Sequence, residues 1–215
     1  MNLVVTDLEG TLTTGSSWLG IRAYFRVFRS RWKYDRFLLS WLPLYLLVKI
    51  GVLNRKKVMN TWMLGEISLL KGETMQEIED MAEWVVVNHM WVKRRVDVMT
   101  QLEDHLHEGA QVAIVSGAYQ PIAEAFARQI GEVTAIGSQL IYTNGRLSAL
   151  ALPTNSFHHK AENIRATFQE HSIITAYGDT LSDLPMLEMS ENPIAVYPDS
   201  GLRKLADARG WQIIG

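Results

Sequence analysis

The sequence predicts an α/β fold in which a parallel sheet forms the core and a long helical segment interrupts it after the first strand. Short apolar runs typical of strands recur along the chain, mostly separated by helical patterns, and this alternation favours a parallel sheet. The runs lie at residues 3–6, 111–115, 133–136, 173–177 and 194–196. Residues 14–100 show no strand pattern, carry six of the seven tryptophans and are predicted to be helical.

Two helices of the predicted core carry their own start or stop signals. The first places apolar residues along one helical face and ends at Gly109, a residue type common at helix C-termini. That face is formed by Val96, Met99, Leu102 and Leu106. The second begins near Pro121 and ends before Gly131. Its apolar positions are Ile122, Phe126 and Ile130. We expect both helices to cover the sheet.

The helical segment divides the chain into two predicted units. Residues 1–13 and 101–215 are assigned to the core, and residues 14–100 to an α-helical cap. Because the cap is inserted directly after the first strand, we expect it to lie over the carboxyl ends of the strands. Open α/β sheets bind their ligands at that edge.

Composition restricts the class of protein. A chain of 215 residues with 47% hydrophobic and 20% charged residues is typical of a globular protein rather than a disordered one. The absence of cysteine excludes disulfides, thiolate metal sites and a cysteine nucleophile. The chain runs from its first residues directly into a strand pattern, which predicts no cleaved signal peptide. We therefore expect a cytoplasmic protein.

Positive charge is concentrated in the predicted cap. Residues 22–57 hold ten basic residues and one acid, Asp35, so their net charge is +9 (ten minus one). The rest of the chain holds 11 basic and 22 acidic residues, a net charge of −11. A basic module beside an acidic body suggests that the module meets an anion. Five basic residues recur at helical spacing and would share one face of a continuous helix; they are Arg22, Arg26, Arg29, Lys33 and Arg36.

An uncharged run follows this basic stretch. Residues 37–48 contain no charge, include Pro43 and fall short of the ~20 residues that a membrane-spanning helix needs. We predict that the run forms the core of the cap. The alternative is that the basic, aromatic cap contacts a membrane surface, which would make the protein membrane-peripheral.

Three polar segments follow predicted strands and are candidates for a shared site. They lie at residues 7–11, 116–117 and 178–183. Because the ends of parallel strands meet at one edge of a sheet, Asp7, Ser116 and Asp179 could converge. Clustered carboxylates repel one another and require a cation, and oxygen ligands without cysteine favour Mg²⁺. Lys160, near the start of a helical stretch, could add a positive charge for a phosphate.

These segments resemble, in order along the chain, the four motifs of the haloacid dehalogenase superfamily. The motifs read Asp7-Leu8-Glu9-Gly10-Thr11-Leu12-Thr13, Val115-Ser116-Gly117, Lys160, and Gly178-Asp179 through Asp183-Leu184-Pro185-Met186-Leu187. The chain is most similar to the phosphoserine-phosphatase-like branch (subfamily IB), which carries a helical cap between the first and second motifs. The resemblance implies a Rossmann-like core with an inserted cap, and a phosphomonoester hydrolase.

The resemblance also implies roles for the acidic residues. Asp7 would be the nucleophile that accepts the phosphoryl group as an aspartyl phosphate. The Asp7 carboxylate, the backbone carbonyl of Glu9 and the Asp179 carboxylate would hold Mg²⁺. Asp183 would support this ligand shell. Glu9 would act as the general acid that protonates the leaving oxygen and then as the base that activates water.

Three other matched residues would bind the transferring phosphoryl group. The Ser116 hydroxyl would hydrogen-bond to it, the Gly117 amide would assist, and Lys160 would neutralise its charge and steady Asp7. We expect a small-molecule phosphoester as the binding partner, and no nucleic acid.

Two positions depart from the family pattern. The family's phosphatases usually carry aspartate two residues after the nucleophile, whereas this chain has Glu9, which is one methylene longer. Phosphoserine phosphatases carry a glutamate for the substrate ammonium nine residues after the nucleophile, whereas this chain has Ser16. Two alternatives to a phosphatase therefore stay open: a phosphotransferase using the same intermediate, and a non-catalytic module that binds phosphate or a membrane surface. His158 and His159 are predicted as loop residues without a specific role.

Overall fold

In the computed structural model, which describes residues 2–53, 55–156 and 158–215, the core is a six-stranded parallel sheet. The side chains of residues 55–57 and 158 lie outside this description. The strands are β1 (Asn2–Thr6), β2 (Gln111–Tyr119), β3 (Val133–Ser138), β4 (Leu140–Thr143), β5 (Arg146–Leu150), β6 (Ser172–Gly178), β7 (Asn192–Val196) and β8 (Gln212–Ile214). The sheet order is β3-β2-β1-β6-β7-β8, and β4 and β5 form a separate antiparallel hairpin.

The helices are α1 (Ser17–Phe28), α2 (Arg31–Lys49), α3 (Arg55–Leu70), α4 (Met75–Val85), α5 (Val96–His107), α6 (Gln120–Ile130), α7 (His158–Thr167), α8 (Leu184–Leu187) and α9 (Ser200–Arg209). Alternate residues of β1 point to opposite faces of the sheet. Val4 therefore packs in an apolar cluster with α5, α6 and the cap, whereas Leu3 and Val5 pack in a second cluster with α7, α8 and α9.

The predicted sheet and its helices are confirmed, with two strand features missed. All five predicted runs are parallel strands, and α6 begins beside Pro121 and ends before Gly131 as expected. Strand β8 was missed because three residues at a sheet edge leave little periodicity to detect. The β4–β5 hairpin turns at Asn144 and Gly145, which have φ angles of 53° and 72°. Asn-Gly is a strong signal for such a turn, and our prediction did not use it.

The described part of residues 14–100 is helical apart from short connections, and its elements stand between β1 and α5. The predicted boundary after residue 100 falls inside α5, whose buried Val98 and Leu102 pack in the apolar cluster that contains β2. The division into core and cap remains a prediction. Helix α7 begins at His158, so the interpretation of His158 and His159 as loop residues was wrong. The His159 amide donates to the Ser156 carbonyl, a turn that starts the helix early.

The predicted basic face does not form, because the chain breaks between α1 and α2. Arg29 and Ser30 adopt extended conformations and separate the two helices. Arg22 and Arg26 both pair with Asp35 of α2, at 2.9 and 3.2 Å, so these charges hold the helix pair together. Arg29 pairs with Glu73 at 2.8 Å.

The prediction that residues 37–48 form the core of the cap holds for only one side of α2. Phe37 and Trp41 pack against Trp62 of α3, with ring centroids 4.9 and 5.5 Å apart. The opposite side of the helix, including Leu39 and Leu42, is exposed to solvent. The expectation was wrong there, because apolar residues occur on all sides of α2 while α3 covers one. Among the described residues, no helix combines the length and the apolar character needed to cross a membrane.

Candidate active site

Strand register brings the polar segments to one edge of the sheet. Thr6, the last residue of β1, pairs with Ile114 of β2 and with Tyr177 of β6. Asp7, Ser116 and Asp179 follow these positions by one or two residues, so all three emerge at the carboxyl edge. The Asp7 amide donates a hydrogen bond to the Tyr177 carbonyl at 3.0 Å, which extends the β1–β6 pairing to the candidate nucleophile.

Three carboxylates and one ammonium group form the centre of the site. Asp7, Asp179 and Asp183 each offer an oxygen atom, and these atoms lie within 4.8 Å of one another. The Lys160 ammonium donates to Asp7 Oδ1, and to Asp183 Oδ1 at 2.7 Å. Asp7, Asp183 and Lys160 are buried, and Asp179 is half-buried. Among the described residues, the arrangement therefore sets three potential negative charges against the positive charge of Lys160, which contacts two of them.

The pKa values reflect this charge imbalance. Burial raises the pKa of Asp7 to about 7; Lys160 opposes the rise and Asp183 adds to it. Burial, together with the charges of Asp7 and Asp183, raises the pKa of Asp179 to about 8. Burial disfavours the ammonium form of Lys160, but Asp183 and Asp7 outweigh it and raise the pKa of Lys160. A divalent cation would relieve the remaining repulsion, and the all-oxygen donor set fits a hard cation.

Gly10 allows the loop after β1 to approach Asp179 closely. Its φ angle is +91°, a conformation that side chains other than glycine rarely adopt. A Cβ atom at this position would lie 2.0 Å from Asp179 Oδ2. The Thr11 hydroxyl is 3.4 Å from Asp179 Oδ1. Substitution of Gly10 by any other residue would therefore displace Asp179 or the loop.

Asp183 is fixed by the turn that follows β6. Its Oδ2 accepts hydrogen bonds from the Thr180 amide and the Thr180 hydroxyl, both at 3.1 Å. Its Oδ1 accepts from Lys160. The carbonyl of Asp179 accepts from the Asp199 amide at 2.9 Å, which ties this turn to the segment after β7. Asp183 therefore holds Lys160 in place and faces the other two carboxylates.

Ser116 is held by a residue that the sequence prediction missed. The Ser116 hydroxyl oxygen accepts from the Ala118 amide at 3.1 Å, so its own proton is available for a ligand. The buried Asn155 side chain donates to the carbonyls of Ser116 and Ile136 at 3.0 and 2.7 Å. An asparagine in a polar loop resembles any turn residue, and no motif identified it.

Glu9 lies between the core and the first cap helix. Its Oε1 accepts from the Ser17 amide at 2.8 Å, at the N-terminus of α1, where free amides favour a carboxylate. Burial nevertheless raises the pKa of Glu9 above its ordinary value, although the Ser17 hydrogen bonds and the charge of Lys160 oppose the rise. The N-terminus of α1 therefore positions the candidate proton donor.

A second buried carboxyl group, Glu66 of α3, was not predicted. Its side chain accepts hydrogen bonds from the hydroxyls of Tyr34 in the predicted cap and Tyr119 at the end of β2, the latter at 2.9 Å. Burial raises the pKa of Glu66 to about 7, the tyrosine hydrogen bonds oppose the rise, and the charge of Glu9 adds to it. The available signal was that Glu66 is the first acid after thirty residues without one.

Comparisons with known proteins agree with this geometry. The sequence profile of the family described as haloacid dehalogenase-like hydrolase matches residues 4–188. The phosphoserine phosphatase SerB1 of Mycobacterium tuberculosis is 29% identical over 160 residues, which cover 68% of this chain and 49% of that protein. This chain spans about half the length of the first curated relatives that it matches.

Solved structures support the fold. A protein of unknown function from Bordetella pertussis Tohama I superposes with a TM-score of 0.82 at 22% identity, covering 100% of this chain and 98% of that one. A phosphoserine phosphatase solved with bound substrate gives a TM-score of 0.63 at 17% identity, covering 99% and 91%. At these identities the likeness concerns the fold alone.

Proposed function

The chain belongs to the haloacid dehalogenase-like hydrolases, and from that premise we propose that it is a Mg²⁺-dependent phosphatase acting on small phosphomonoesters through an aspartyl phosphate. The observation that carries the proposal is the cluster of Asp7, Asp179 and Asp183 around Lys160 at the carboxyl edge of the sheet. Two buried acids and a half-buried one beside the ammonium group of Lys160 are costly to a fold, and a binding site for a metal and a phosphoryl group would account for them.

The metal would be held by the carboxylates of Asp7 and Asp179 and the backbone carbonyl of Glu9, with Asp183 supporting them. When bound, Mg²⁺ would neutralise charge on the phosphoryl oxygens and lower the repulsion between the phosphate and the carboxylates. Lys160 contacts Asp7 already and would share the charge of the transferring group. The Ser116 hydroxyl and the Gly117 amide would donate hydrogen bonds to it.

The reaction would proceed in two displacements at phosphorus. In the first, an Asp7 carboxylate oxygen attacks phosphorus, the ester P–O bond breaks, and Glu9 gives its proton to the leaving oxygen. In the second, Glu9 takes a proton from water, the water oxygen attacks phosphorus, and the bond to Asp7 breaks to release phosphate. Burial favours the protonated form of Glu9, which suits the first step.

The substrate is proposed only as a class, a small-molecule phosphomonoester. The position that carries the ammonium-binding glutamate in phosphoserine phosphatases is Ser16 here, at the N-cap of α1. This departure weakens phosphoserine as the preferred substrate, although a relative carries that name. The cytoplasmic location expected from composition also remains a prediction.

A phosphate-release screen tests the proposal. The protein is incubated with Mg²⁺ and a panel of phosphomonoesters that includes phosphoserine, and released phosphate is measured. We expect turnover of at least one ester, and its loss by about 10⁴-fold or more in Asp7→Asn, because an amide cannot become the acyl phosphate. The matched control is Asp207→Asn, at an exposed position of α9, which should keep full activity.

Two outcomes would contradict the proposal. Full activity in a folded Asp7→Asn protein would exclude Asp7 as the nucleophile. Consumption of the ester only when an acceptor alcohol is present, with the phosphoryl group recovered on the alcohol rather than as free phosphate, would identify a phosphotransferase instead.

A further inference from the structure

Helix α2 exposes an apolar surface that the proposed function does not use. Within α2, Tyr34 is the buried residue, and the side opposite α3 faces solvent. We define the outer face of α2 as Leu39, Leu42 and Leu46 of the helix together with Ile50, which directly follows its last residue; their exposed fractions are 68%, 52%, 51% and 70%. Their spacing of three and four residues places them in one stripe along the helix. Exposed apolar stripes of this kind mark interaction surfaces more often than scattered single residues do.

Basic residues border this stripe on both sides. At 100° per residue, Arg36 lies on one side of the outer face and Lys49 on the other, and both are exposed. Residues 36–65 contain five basic residues, including three in a row at 55–57, and no acidic residue. Exposed aromatic side chains, Trp32 and Tyr45, lie on the same helix. Apolar, aromatic and basic residues in this arrangement are typical of helices that lie in a membrane interface.

We propose that the outer face of α2 docks on an anionic membrane surface, with the helix lying in the plane of the lipid headgroups. The apolar stripe would enter the boundary between headgroups and acyl chains. Arg36 and Lys49 would extend their charged ends to lipid phosphates. A second copy of the chain fits the same face poorly, because a two-fold contact would bring two acid-free, basic surfaces together.

Vesicle sedimentation tests the proposal with the full chain. The probes are vesicles of phosphatidylcholine alone and vesicles of phosphatidylcholine mixed with phosphatidylglycerol. We expect binding to the mixed vesicles, weaker binding to the neutral ones, and a loss of binding as salt is added, because salt screens the charge attraction. Equal binding to both vesicle types, or none to either, would overturn the proposal.

Matched variants locate the contact. Leu42→Ser combined with Leu46→Ser should weaken binding to the mixed vesicles by about tenfold or more. Val92→Ser combined with Val96→Ser, at positions that are each 64% exposed elsewhere, should leave binding unchanged. Lys49→Gln should weaken binding by about fivefold, and Lys204→Gln on α9 should not. Equal effects of the α2 variants and their controls would refute the assignment.

Sedimentation velocity tests whether the outer face of α2 binds a second copy of the chain rather than a membrane. The proposal would be overturned if the parent protein were a dimer that does not bind vesicles and the Leu42 and Leu46 changes converted that dimer to a monomer. That result would identify self-association through the outer face of α2. The variants lie outside the catalytic cluster, so turnover of a soluble phosphoester should be the same in all of them. A failure of vesicle binding therefore leaves the proposed phosphatase activity unaffected.

Discussion

The candidate active site and the surroundings of Glu66 meet the charge of carboxyl groups in different ways. In the candidate active site, Asp7, Asp179 and Asp183 face one another, and the ammonium group of Lys160 contacts Asp7 and Asp183. The Glu66 carboxyl group of α3 instead accepts hydrogen bonds from neutral tyrosine hydroxyls. A bound cation would complete the first arrangement, whereas both oxygens of Glu66 already have hydrogen-bond donors in the described part of the chain. Carboxylates that face one another therefore suggest a ligand site, and a carboxyl group that accepts hydrogen bonds from neutral hydroxyls suggests a structural contact.

Removal of the metal tests the first half of this comparison and has the largest expected effect. Turnover should fall to background when a chelator is added and return with Mg²⁺, because the carboxylates would otherwise repel the phosphate. Ca²⁺ should restore it poorly, since its longer and less regular coordination would misplace the phosphoryl group. Undiminished hydrolysis after exhaustive chelation would show that the acids serve another purpose.

The same metal should stabilise the fold more at high pH than at low pH. The pKa values of Asp7 and Asp179 are about 7 and about 8, so these groups bind protons in place of a metal below pH 6. Metal ligands must be deprotonated. The increase in Tm on adding Mg²⁺ should therefore grow between pH 5 and pH 8. A Tm increase of the same size at both values would contradict the assignment of these ligands.

Glu9 is the next test, because the N-terminus of α1 holds its side chain and it is the proposed proton donor. Glu9→Gln should slow turnover by ~10²–10⁴-fold, the usual contribution of positioned proton transfer. Metal affinity should change little, because the proposed ligand at this position is the backbone carbonyl. In Glu9→Gln, phosphoenzyme formation from an ester with an acidic leaving group should be slowed less than phosphoenzyme formation from other esters. In Glu9→Asp the shorter side chain would no longer reach the Ser17 amide, so turnover should be slower. Faster turnover in this variant would show that the site merely tolerates glutamate.

Sequence reasoning succeeded where short segments and strand order decide the structure. Asp7 and Asp179 follow strands that are neighbours in a parallel sheet, so their approach follows from topology alone. Lys160 is distant from Asp7 in the sequence, and its position in the site was predicted from the resemblance to a known family. Local geometry also decides the residue type at Gly10, because the loop after β1 can approach Asp179 closely only with a residue that has no side chain.

The remaining features depend on contacts between distant segments. Glu66 and Tyr119 are 53 residues apart and belong to no motif, so their hydrogen bond could not be predicted. Asn155 likewise supports Ser116 from a loop without a recognisable pattern. Periodicity showed that α2 is apolar, but it could not show which side α3 would cover. The break at Ser30 also escaped prediction, since basic residues continue at helical spacing across it.

The Glu66 contact should make the stability of the fold depend on pH. A glutamate in the unfolded chain has a pKa of 4.5, and burial raises the pKa of Glu66 to about 7. The folded state therefore binds more protons at Glu66 between these values, so the contribution of Glu66 to stability is largest below pH 4.5 and falls as the pH rises towards 7. Glu66→Gln should remove roughly 3 kcal/mol of this pH dependence as an upper limit.

Urea unfolding of the parent protein and Glu66→Gln between pH 5 and pH 8 measures this difference directly. Contributions from Asp7 and Asp179 are common to both proteins and cancel. Glu103→Gln, at an exposed position of α5, is the control and should leave the pH dependence unchanged. If the parent and Glu66→Gln curves run parallel, Glu66 does not titrate in this range.

The smallest expected effect concerns the tyrosine hydroxyls that satisfy Glu66. Tyr119→Phe removes the hydroxyl that lies 2.9 Å from Glu66 and 3.2 Å from the Met63 carbonyl. We expect a loss of about 1.5–3 kcal/mol at pH 8, where Glu66 is ionised, because hydrogen bonds to charged groups are the stronger ones. The loss should be smaller at pH 5, where the carboxyl group is protonated.

Tyr142→Phe is the matched control, since the Tyr142 hydroxyl is buried without a hydrogen-bond partner among the described residues. Its removal should cost little at either pH. Equal losses for the two variants would show that the tyrosine rings, rather than the hydrogen bonds to Glu66, connect cap and core.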